Sequence, residues 1–77
     1  MQDRSIDDVR DAVRGIKPDI IDITFTAPVR FTVMSRSGFT RQDLSDLRRA
    51  GIRMEGAEIG MTDNAGRYRV HTNFRIG

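Results

Sequence analysis

Two stretches of this chain, "SIDDVRDAVRGIKP" and "FTRQDLSDLRRAGI", share one grammar, and each is followed by two runs of alternating residues. That twofold order of helix, strand, strand constrains the fold more than any other feature. In the first stretch, Ser5 followed by Asp8 makes a capping box with aspartate in place of glutamate. Ile6, Val9, Val13 and Ile16 recur at helical spacing and trace one stripe. Gly15 offers a left-handed exit, Ile16 an apolar companion to it, and Pro18 forbids continuation, which predicts a helix over residues 6–14. In the second stretch Thr40 is the cap, Asp43 follows three residues on, and Phe39 staples onto Leu44. Leu44 and Leu47 face inward, Gly51 and Ile52 close the helix, and Asp43, Arg48 and Arg49 complement its dipole.

The strands follow from parity. Ile21, Ile23 and Phe25 share a face, and Val29, Phe31 and Val33 continue it on the return. An odd loop of Thr26, Ala27 and Pro28 keeps both rows together and pairs Phe25 with Val29, Ile23 with Phe31, and Ile21 with Val33. Thr24 with Arg30, Asp22 with Thr32 and Ile20 with Met34 then lie outside. In the second hairpin Ala57, Ile59 and Met61 are expected to share the face of Tyr68, Val70 and Thr72. Asp63, Asn64 and Gly66 supply the turn. An even loop, of two or four residues, pairs Met61 with Tyr68, Ile59 with Val70, and Glu58 with His71.

These elements predict a single α+β domain over residues 1–77, ordered α-β-β-α-β-β, with two helices on one face of a four-stranded antiparallel sheet. A ferredoxin-like sandwich runs strand, helix, strand, strand, helix, strand. Moving its first strand to the end gives the present order, with right-handed crossovers preserved and the last strand central, beside residues 29–34. The opposite sheet face is left to solvent or a partner. A dimer whose sheet continues across subunits satisfies the same pattern, because a core this small gains from a twin.

The open face is the principal candidate site. On it the expected pairing gathers Arg67, Arg69, His71, Asn73 and Arg75 beside Arg30, Thr32, Met34 and Ile20. Two classes of function use such a surface. Apolar Ile20 and Met34 ringed by arginines suit a protein-interaction module or regulator. Arg30, Arg67, Arg69 and Arg75 also suit nucleic-acid backbone binding, RNA or DNA. However, Phe25, Phe31, Tyr68 and Phe74 all have inward parity, so the stacking platform of an RNA-recognition domain is missing. Twelve of the thirteen basic residues are arginine, but eleven acidic residues bring the formal charge to only +2. That balance favours the protein-binding reading over obligate nucleic-acid binding.

A second candidate is "MSRSGFT", where Arg36, Ser37, Gly38 and Arg41 surround a helix entrance that is able to cradle an anion. For catalysis, His71 is the sole histidine and Glu58 its one expected acidic neighbour, with no nucleophile, so no catalytic residues are assigned. Nor is any metal or cofactor expected, since this face offers too few converging ligands. Asp7 with Arg10 and Asp11 with Arg14 read as surface pairs. The absence of cysteine points to a reducing compartment. Without a signal pattern or an apolar run of membrane length, the chain is expected to be soluble and cytoplasmic.

Overall fold

The computed structural model describes residues 6–77. Six elements follow in the expected order: α1 (Ile6–Ile16), β1 (Ile20–Ala27), β2 (Arg30–Ser35), α2 (Arg41–Arg49), β3 (Ile52–Thr62) and β4 (Tyr68–Ile76). The expected Ser5 cap lies outside the described residues. Val9 and Val13 are fully buried along the α1 stripe, while Ile6 remains exposed. α1 also runs two residues further than its spacing predicts. Gly15 does not take a positive φ, and the Lys17 N–H still donates to the Val13 carbonyl at 3.0 Å. It is Pro18, which lacks a donor and restricts the residue before it, that ends the helix.

α2 begins as its sequence predicts. Thr40 Oγ1 accepts from the Asp43 N–H, Asp43 Oδ2 accepts from the Thr40 N–H, both at 3.0 Å, and Gly51 exits at φ 81°. Thr40→Ala removes one half of this reciprocal pair. It is expected to cost about 1 kcal/mol, read as a fall in melting temperature of roughly 4–8 °C for a domain of this size.

The four strands form one antiparallel sheet in the order β1-β2-β4-β3, so β4 is central and lies beside β2. In the first hairpin, Phe25 meets Phe31, Ile23 meets Val33, and Asp22 meets Met34. The parity is the expected one but the register is two residues out. Pro28 and Val29 take the turn, leaving Val29 45% exposed and outside the apolar row. A bulge between Ile20 and Asp22 reverses the first residue, so Ile20 pairs with Ser35 and is buried on the helix side. Ile20 therefore does not belong to the open face.

The second hairpin departs further. Asp63 N–H donates to the Arg67 carbonyl, Gly66 N–H to the Asp63 carbonyl, and Gly66 has φ 79°. This is a three-residue loop with a left-handed glycine, and its odd length inverts the expected parity of β3. Ile59 now pairs with His71 and Met61 with Arg69, on the open face rather than inside. The same inverted parity turns Glu58, the neighbour of Ile59, toward the helices, where its Oε2 accepts the Phe39 N–H at 2.8 Å; a further irregularity between Glu55 and Ile59 shifts the register by two residues and keeps the parity. Glu58 is therefore not the neighbour of His71. Tyr68 keeps inward parity and lies over Gly60, yet it is 56% exposed.

One apolar cluster joins both helices to all four strands: Val9, Val13 and Leu47 pack on Ile23, Phe31, Val33, Ile52 and Phe74. Phe74 stacks on Phe31 with centroids 5.5 Å apart and meets Phe39 edge-on at 5.0 Å. Packing the helices on this side leaves the other sheet face without a helix among the described residues.

Candidate functional site

Because alternate residues of a strand point to opposite faces, the register determines what the bare face carries. Arg30 lies opposite Arg75, and Arg75 opposite Arg53, giving a row of three arginines across three adjacent strands. The next row is Thr32, Asn73 and Glu55, in which Thr32 Oγ1 donates to Asn73 Oδ1 at 2.7 Å. The third is Met34, His71 and Ile59, with Asp22 at its β1 end. Arg69 and Met61 form a fourth.

Of the residues expected here, the structure brings together Arg30, Met34, Arg69, His71, Asn73 and Arg75. It removes Ile20, for the reason given above, and sets Arg67 apart. Arg67 stands at the hairpin tip, where its Nε bonds Asp63 Oδ2 at 3.1 Å. The Asp63 carboxylate also accepts backbone N–H bonds from Arg67 and Ala65, which together with the Arg67 charge hold its pKa below the ordinary carboxylate value. The tip is thereby neutralised from within.

Four residues that sequence reasoning placed elsewhere or passed over join the face: Arg53, Glu55, Ile59 and Met61. Ile59 is 54% and Met61 48% exposed; Ile59 lies opposite half-buried His71, which on its other side lies opposite half-buried Met34, and Met61 stands in the next row opposite Arg69. Glu55 reaches Arg30 Nε at 3.4 Å. Beside that pair, the β3 bulge opens a shallow depression of about 420 Å³ whose walls include Arg30, Thr32, Glu55 and Asn73.

The second candidate, at the entrance to α2, is occupied by the protein's own groups. Lys17, almost wholly buried, donates to Ser37 Oγ and the Gly38 carbonyl, each at 3.0 Å, pairs with Asp19 at 2.9 Å, and lies over the Phe39 ring. Ser37 Oγ in turn donates to Asp19. Glu58 takes the Phe39 amide and Asp43 the Thr40 amide. A Cβ on Gly38 would come within 2.9 Å of Glu58 Oε1, so the glycine admits this internal carboxylate. Arg36 and Arg41 remain exposed at its margin.

On α1, Arg10 donates to the Ile23 carbonyl at 3.2 Å and lies over Phe25; the expected pairs of Asp7 with Arg10 and of Asp11 with Arg14 do not form among the described residues. Among the described residues no helix is long and apolar enough to cross a membrane, and no three His, Asp or Glu side chains cluster as metal ligands do.

Neither a family model, nor a curated protein, nor a solved structure matches the chain. Function is therefore read from the face itself.

Proposed function

We propose that this chain is a small non-catalytic protein-interaction module, built as a circularly permuted ferredoxin-like sandwich, that engages its partner through the open sheet face. The strand order β1-β2-β4-β3 supports the permuted sandwich, because moving that fold's first strand to the chain end produces this order. The function rests on one observation: Met34, Ile59 and Met61 surround His71 on the sheet face that neither described helix covers. A central apolar patch with a charged rim is the anatomy of a protein interface.

Met34→Asp and Ile59→Asp each place a charge in that patch without touching the core. Each is expected to lose the partner recovered by gentle purification while keeping the wild-type circular dichroism spectrum. Sedimentation of the purified chain tells whether that partner is a second copy, as a dimer through the exposed β3 edge requires. A complex indifferent to both substitutions removes the face from consideration.

The row Arg30, Arg75 and Arg53 favours a second reading, nucleic-acid backbone binding. It requires salt-sensitive retention of mixed oligonucleotides, and no retention even at low salt excludes it.

A further inference from the structure

The arginine row is electrostatically odd for a structural feature. Like charges directly opposite one another on a sheet destabilise it, yet Arg30, Arg75 and Arg53 stand side by side on three strands. Glu55 reaches only Arg30, and among the described residues Arg53 and Arg75 make no ion pair. The whole face carries four arginines, Arg30, Arg53, Arg69 and Arg75, against two carboxylates, Asp22 and Glu55.

We infer that the open face takes an acidic segment of a partner protein, whose carboxylates meet the arginine row while an apolar side chain seats on Met34, His71 and Ile59. This deepens the protein-binding function proposed above and rests on it. Arginine forks match carboxylates in pairs, so three in a row specify more than one acid. The apolar and arginine rows are four residues apart along β4, His71 to Arg75, which is about 13 Å at strand rise. An extended partner therefore presents its apolar and acidic side chains about four residues apart.

Charge disfavours the other occupants. A second copy would set this positive face against its like. A nucleic-acid strand needs a continuous basic track with stacking surfaces. Here the basic row gives way to apolar residues, Arg67 is neutralised by Asp63, and no aromatic residue lies on the face.

The test uses fluorescence anisotropy with the whole chain and three labelled probes. The first is a peptide with two leucines and, four residues on, two glutamates. The second has lysines for those glutamates, and the third is a single-stranded thymidine oligonucleotide. At about 50 mM salt, where surface charges are lightly screened, the glutamate peptide is expected to saturate below about 1 mM. Arg75→Glu should weaken it about tenfold or more. The double variant Arg53→Glu with Arg75→Glu should instead bind the lysine peptide, a gain that unfolding cannot mimic.

Equal binding of both peptides by the wild type, tighter binding of the oligonucleotide, or no saturation would each overturn the acidic partner. Loss of the glutamate peptide in Arg75→Glu but not Ile59→Asp upholds the acidic partner and removes the apolar patch. Loss in Ile59→Asp alone does the reverse.

Discussion

Replacing Phe74 by alanine is expected to leave the domain largely unfolded at 37 °C. Phe74 is wholly buried at the middle of the sheet, stacked on Phe31 and met edge-on by Phe39, the residue that leads into α2. Its truncation opens a cavity where both layers converge, at a cost of about 3–5 kcal/mol. A domain of this length has a total stability on the order of 5 kcal/mol, so the loss consumes most of it. The change appears as collapse of amide chemical-shift dispersion in a proton–nitrogen correlation spectrum. A variant that melts within a few degrees of the wild type would show that the aromatic stack is not what joins the layers.

Lys17→Met is expected to be the next most damaging single change. The only lysine in the chain hides its ammonium beneath the turn into α2, tied to Asp19, Ser37 and the Gly38 carbonyl. Methionine keeps the stem and orphans those groups. Breaking a fully buried pair costs about 3–5 kcal/mol. Asp19 keeps a third of its side chain in water, so about 2 kcal/mol is expected here.

The loss also depends on pH. Burial pushes the Asp19 pKa up, but hydrogen bonds from Ser37 and Lys17 and the Lys17 charge outweigh it and hold the pKa below 3.8. A carboxyl depressed on folding contributes stability that is complete above its unfolded pKa and fades as pH falls through the folded one. Urea denaturation of wild type and variant should accordingly show a wide gap at neutral pH that narrows below the ordinary carboxylate range. A gap unchanged down to strongly acidic pH would exclude Asp19 as the partner that matters.

The helices were legible because local chemistry sets them: Thr40 with Asp43 caps α2, and the apolar stripe of α1 contains Val9 and Val13; the strand order followed instead from the sandwich topology that a helix, strand, strand repeat admits. Parity survived in the first hairpin even though Val29, apolar and in phase, went to the turn. What the alternation could not carry was the second hairpin, because bulges and odd loops shift phase without leaving an apolar trace. One signal was present. Asp63 and Gly66 stand where a type I turn followed by a left-handed residue wants them, and that loop sends Ile59 and Met61 outward. The arginine row was half legible: Arg30 and Arg75 were placed on the face, but Arg53 needed the β3 register. The entrance to α2 looked like an anion site because Ser37, Gly38 and two arginines are visible in sequence, whereas Asp19 and Glu58 arrive only through the fold.

The alternation along β2 and β4 divides the labour between the two faces. Phe31, Val33, Val70, Thr72 and Phe74 look inward, and Arg30, Met34, Arg69, His71, Asn73 and Arg75 look outward from the same two strands. Substitutions on one parity leave the contacts of the other nearly intact, and changes that share no partners combine almost independently. The outer set is thus free to drift toward a new partner, by exchanging a charge or a methyl at a time, while the inner set continues to specify the same fold. A scaffold of this kind can diversify what it recognises without passing through an unfolded ancestor.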